Sequence, residues 1–123
     1  MYSKITGLDL RELAKLNICR YQMKIILENL KKNKGPKKFR VILENGRKVE
    51  FGAKGYSDFT LHKDPKRMQR YLIRHKKREN WSKKGINTAG FWSRWLLWSK
   101  PSLNGAIKLI ENKFNVKIHA LSA

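Results

Sequence analysis

The stretch "KKFRVILENGRKVEFG", Lys37 to Gly52, decides the fold class of this chain. Two runs rich in β-branched and aromatic residues flank Asn45-Gly46, a strong short-range hairpin signal. A two-residue loop at Asn45-Gly46 would set Leu43 against Lys48 and Val41 against Glu50, mixing the two faces. A three-residue loop Glu44-Asn45-Gly46, with Gly46 left-handed, instead pairs Val41 with Val49 and Phe39 with Phe51. It also places Arg40 opposite Glu50 on the other face, a favourable cross-strand pair. The second register is the expected one, giving a hairpin over about residues 38–52.

Downstream, "KDPKRMQRYLIRHKKREN" begins a helix, with Asp64 as N-cap and Pro65 at the first helical position. Met68, Tyr71, Leu72 and His75 share one face, while Lys66, Arg70, Arg74 and Lys77 share the opposite one. Next comes "TAGFWSRWLLWSKPS", Thr88 to Ser102. Thr88 can cap a helix over 89–99, and Lys100-Pro101 stops it. Ser102 then starts another, with Leu103, Ala106, Ile107, Ile110 and Phe114 on one stripe. "NVKIHALSA" closes as a short strand with Val116, Ile118 and Ala120 alternating.

Upstream, "LDLRELAKLNICRYQMKIILENLKKNKG" reads as helical, capped by Asp9, with Leu13, Leu16, Cys19, Met23, Ile26, Leu27 and Leu30 as its stripe. Asn17 can divide it into two helices. The alternation Cys19, Tyr21, Met23, Ile25 leaves a strand open for residues 18–30, and Gly35-Pro36 ends the segment either way. The expected architecture is one small α+β domain: a helical segment over 1–35, then a basic core over 36–123. In that core the hairpin packs on several helices around a central Trp-rich helix.

Phe91, Trp92, Trp95, Leu96 and Trp98 make the Trp-rich helix apolar nearly all round, with only Ser93 and Arg94 for relief. About 11 residues cannot span a bilayer, and an interfacial helix needs a wider charged face. Base-stacking tryptophans are usually interleaved with cations on exposed surfaces. Core is therefore the first expectation for these five residues. A small domain has difficulty covering every face of such a helix, so a homodimer interface is the second.

The chain has 123 residues and 41% apolar content, enough for one modest core. No apolar run approaches a membrane span, no secretory signal is visible, and the lone Cys19 has no internal disulfide partner. Twenty-nine Lys plus Arg face nine Asp plus Glu, for a formal charge of +20. Such an excess attracts polyanions: nucleic acid, anionic lipid or acidic proteins. Residues 64–84 are densest, with nine basic and two acidic side chains.

Lys66, Arg70, Arg74 and Lys77, flanked by Arg67 and Arg78, form a cationic ridge roughly 16 Å long at about 1.5 Å per residue. Lys63, Lys83 and Lys84 extend it. Acids bound this helix rather than interleave with it, so i,i+4 salt bridges do not explain the pattern. Arginine's planar fork suits phosphate. The nine residues are the expected nucleic-acid contacts, with no base-reading signature among them.

No catalytic chemistry is expected. His62, His75, His119 and Cys19 lack zinc-site spacing, and no cofactor, metal or small-molecule substrate is foreseen. Asp58, His62 and Asp64 lie close enough to suggest a metal-dependent nuclease, but Asp64 reads better as a helix cap and Asp58 as a turn residue. Gly46, Gly52, Gly55 and Gly85 form no phosphate-cradling motif.

The elements "GYSDFT" (55–60), "HKD" (62–64), "ENW" (79–81), "TAGFWSRWLLW" (88–98) and "KPS" (100–102) strongly resemble a family of small basic proteins of nucleocytoplasmic large DNA viruses. Marseillevirus-like, mimivirus-like and chlorella-virus-like members share them, as they share the pairs Arg70-Tyr71 and Arg74-His75. The resemblance covers residues 51–103 and extends through the hairpin and to Phe114. It implies a virion protein without an assigned catalytic site. Non-specific DNA binding with genome packaging, or action early in the host nucleus, is the expected function; RNA stays open. The alternative is a matrix protein bound to acidic viral proteins or anionic membrane. The expected locations are virion, virus factory and host nucleus, with "KKNKGPKK" and "RHKKR" as weak import signals.

Overall fold

The structure, a computed structural model, describes residues 22–121. A four-stranded mixed sheet is covered on one face by helices, so the fold is α+β. The strands are β1 (Met23–Asn29), β2 (Lys37–Ile42), β3 (Lys48–Ala53) and β4 (Val116–Ala120), in the order β3-β2-β1-β4. The helices are α1 (Phe59–His62), α2 (Pro65–His75), α3 (Ala89–Trp92) and α4 (Leu103–Phe114). A 3-10 turn lies at Lys83–Gly85, and a π turn at Ser93–Leu97 continues α3.

The hairpin has the expected register: Phe39 pairs with Phe51, Arg40 with Glu50 and Val41 with Val49. Gly46 takes φ +88°, and its N–H donates to Leu43 O. Positive φ costs glycine little, which is why the three-residue loop closes here. Arg40 donates to both Glu28 and Glu50 across the outer face.

Residues 23–29 correct the helical expectation for 1–35: they form β1, antiparallel to β2 and parallel to β4. Ile25 and Leu27 are buried while Lys24 and Ile26 are exposed, an alternation of period two. Two flanking strands satisfy the backbone groups of β1 on both sides, an advantage that helical propensity alone does not match. The expected helices around Asp9, Leu13, Leu16, Asn17 and Cys19 lie outside the described residues.

One side of the sheet supplies most of the core. Ile25, Leu27, Phe39, Val41, Val49, Phe51, Val116 and Ile118 all point to it and are buried. Against them pack Phe91, Trp92, Leu96 and Leu97, then Ala106, Ile110 and Phe114 of α4.

The Trp-rich helix expected over 89–99 is not one α-helix. Thr88 caps α3, and the helix then widens into the π turn and ends at Leu97. Five residues overshoot an α-helical turn by about 140°, so Phe91 with Leu96, and Trp92 with Leu97, could not share an inward face. Widening to i→i+5 spacing brings both pairs inward.

Phe91, Trp92 and Leu96 are thus core, as expected, whereas Trp95 and Trp98 sit at its rim, half-buried. The indole N–H of Trp92 donates to Ile86 O and that of Trp95 to Trp81 O, the partners that buried tryptophans require. The difficulty that favoured a dimer is largely met within one chain, by sheet, α2 and α4 together. No helix among the described residues is long and apolar enough to cross a membrane.

Candidate nucleic-acid interface

An elbow of two short caps sets the direction of α2. Asp58 accepts from Thr60 N and starts α1. Lys63 ends α1 in a left-handed conformation, φ 56°. Asp64 then caps α2 by accepting from Lys66 N, while its own N–H donates to His62 Nδ1.

The elbow is anchored by an ion pair that sequence reasoning missed. Lys38 Nζ donates to Asp58 Oδ2 at 2.8 Å and also to Tyr56 O, and both side chains are buried. By strand alternation with Phe39, Lys38 falls on the outward face of β2. Only the return of the 54–58 loop over its end buries it, and the one available clue was an aspartate in "YSDF".

On its inner side α2 is held by rings. Tyr71 stacks between His75 and Trp98, at 4.2 and 4.3 Å, and His62 packs beyond Trp98 at 5.2 Å. His75 Nδ1 lies 3.0 Å from Glu79 Oε2, and Trp81 Nε1 donates to Glu79 Oε1. Asp58, His62 and Asp64, the nuclease candidates, are spent on the cap, the elbow and the core. Among the described residues no cluster of three or more His, Cys, Asp or Glu could hold a metal ion.

Lys63, Lys66, Arg67, Arg70, Arg74, Lys77, Arg78, Lys83 and Lys84 are all exposed, but they do not form one flat ridge. Lys63 folds back, with Nζ donating to Thr60 O and Pro101 O. Lys66 and Arg70 remain on the outer face. Arg67 and Arg74 border a cleft. Lys77 and Arg78 line a shallow concavity with Trp81, past the helix end. Lys83 and Lys84 follow in the 3-10 turn.

None of the nine is ion-paired with a described carboxylate. Glu28 and Glu50 serve Arg40, Asp58 serves Lys38, Asp64 caps α2, and Glu79 holds His75 and Trp81. Glu44 accepts from Lys24 N, and Glu111 from Ile118 N.

The cleft, of about 490 Å3, opens between the end of β3, α2 and the π turn. Tyr56 and Trp98 contribute aromatic wall over a floor of buried Phe51, Tyr71 and Leu97, and Lys37, Arg67 and Arg74 surround it.

Arg94 is the other cation that the sequence left unplaced. Its guanidinium lies 4.2 Å from the Trp95 ring centroid and 5.3 Å from that of Trp81, and Nη1 donates to Trp98 O. Burial lowers its pKa. It closes the end of the π turn rather than facing solvent.

A model of a family of unknown function, DUF5754, matches residues 30–75. That stretch holds β2, β3, α1 and α2, with the Lys38–Asp58 pair and five of the nine expected contacts. No curated protein and no solved structure matches the chain.

Proposed function

We propose that this chain is a non-catalytic basic protein of a large DNA virus that binds DNA non-specifically through phosphates and helps to package or organise the genome. One observation carries the proposal: the cations of α2 and its extensions are exposed while every described carboxylate is committed elsewhere. Unneutralised arginines and lysines on a rigid helix favour phosphate oxygens and release condensed counterions on binding. Such contacts confer affinity without reading sequence. The viral setting rests on the resemblance described above.

The test is duplex binding across a salt series. With about six phosphates contacted, the log–log slope is near −5, and Lys66→Ala/Arg70→Ala/Lys77→Ala makes it shallower by about 3. A wild-type slope near zero, or unchanged affinity in the triple variant, overturns the proposal. Flotation with acidic liposomes that is tight and salt-insensitive, alongside negligible DNA affinity, would favour the matrix role instead. A homodimer would use what this packing leaves uncovered, the half-buried rim at Trp95. Sedimentation equilibrium that returns only the 14.5 kDa monomer excludes it.

A further inference from the structure

The cleft between β3 and α2 has the composition of a ligand site. Its volume, about 490 Å3, falls within the roughly 300–1,000 Å3 of small-molecule pockets. Of the two acids that line it, Asp58 is ion-paired with Lys38, and Glu79 is engaged by His75 and the Trp81 N–H. Among the described residues, the side chains of Lys37, Arg67 and Arg74 have no ion-pair or hydrogen-bond partner, and with Lys38 they outnumber Asp58 and Glu79, so the net field of the cleft is positive. Glycines let its walls pack closely. A Cβ on Gly90 would meet the Glu79 carboxylate group at 2.8 Å, and one on Gly52 would meet Leu97 Cδ1 at 2.9 Å.

Cations around an apolar, aromatic wall match a nucleotide, whose phosphate needs the first and whose base needs the second. A duplex offers its bases only within grooves about 6–12 Å wide, which protruding elements enter. A concave cleft of this size admits one unstacked nucleotide instead.

We propose that the cleft seats a single unpaired nucleotide of a nucleic-acid strand, its phosphate on Lys37, Arg67 and Arg74 and its base against the exposed ring of Tyr56 and the accessible edge of Trp98. This rests on the nucleic-acid reading above and adds a second mode to it: duplex on the outer face of α2, strand end or extruded base in the cleft.

Two variants isolate the cleft. Lys37→Ala removes a cation that is not on the outer face of α2, and Ser57→Trp, at an exposed loop position, obstructs the entrance. Fluorescence anisotropy compares a 5′-phosphorylated 12-nucleotide single strand with a blunt 12-base-pair duplex, and circular dichroism checks folding. Lys37→Ala weakens single-strand binding about tenfold, the loss of one hydrogen bond to a charged group, Ser57→Trp weakens it at least as much by obstruction, and both leave duplex affinity within about twofold. Lys66→Ala/Arg70→Ala shows the converse pattern. Equal losses for strand and duplex, or no loss for either, overturn the cleft proposal and leave duplex binding standing. Absence of binding to both probes by the wild type overturns both proposals.

Discussion

The indole of Trp98 lies flat on the ring of Tyr71, with centroids 4.3 Å apart and planes 3° from parallel. This stack joins the most basic helix of the chain to the most apolar segment. Tyr71 is the one fully buried side chain of α2, so the placement of the arginines depends on it. A double-mutant cycle with Tyr71→Leu and Trp98→Leu, followed by urea denaturation, gives a coupling of about 0.5–1.5 kcal/mol beyond area burial. Strict additivity would mean that α2 is held by something else.

The Lys38–Asp58 pair predicts a strongly non-additive pair of substitutions. Lys38→Met leaves a buried, uncompensated carboxylate and costs about 3–5 kcal/mol. Adding Asp58→Asn removes that charge and keeps an acceptor for Thr60 N, so the double variant is more stable than Lys38→Met alone. Two positions along the same strand, Arg40 pairs with Glu28 in the open, where water and salt screen it. The Arg40 contact lowers the Glu28 pKa, yet Arg40→Ala costs far less than Lys38→Met in the same melts.

His62 predicts a loss of stability in mild acid. Its pKa is lowered chiefly by burial and next by the Arg67 charge, against weaker opposing effects of Asp64 and Asp58. Its Nδ1 accepts from Asp64 N, so protonation there also breaks the elbow. The unfolded chain takes up the proton near the ordinary value of about 6.5, while the folded chain resists. Stability present above that value is lost as pH falls through it toward the lower folded value. His62→Asn retains an acceptor and does not titrate. Its melting temperature is lower throughout but drops less between pH 7.5 and 5.5 than that of the wild type. Parallel curves would remove His62 as the cause.

Gly52 predicts a backbone effect with a built-in control. At φ +75°, and with a Cβ that would meet Leu97 Cδ1 at 2.9 Å, Gly52→Ala costs at least about 1–2 kcal/mol. Gly35, where nothing lies within 4 Å of an added Cβ, accepts alanine with little change. Equal effects at the two sites in thermal melts would contradict the packing of β3 on the π turn.

What the chain determined by itself is local. The register of Val41 on Val49 follows from alternation and one glycine, all inside sixteen residues. Asp64, Thr88 and Ser102 each accept from a backbone N–H two or three positions ahead, as helix caps do. The exposure of the α2 cations was equally legible from helical spacing, although Arg67 and Arg74 border the same cleft as Tyr71 and His75 instead of standing opposite them. Tertiary structure decided the rest, wherever local preferences are close to balanced and a distant contact tips them. Residues 23–29 become a strand because Val116–Ala120 pairs with them from more than ninety positions away. Leu96 and Leu97 enforce a π turn only once a sheet exists to receive both. Lys38 is buried by a loop that closes over it, and Lys37 meets Arg67 and Arg74 at one cleft because that same loop brings β2 and α2 together. Spacing in the sequence carries no record of such meetings, since each depends on chain closure over tens of residues.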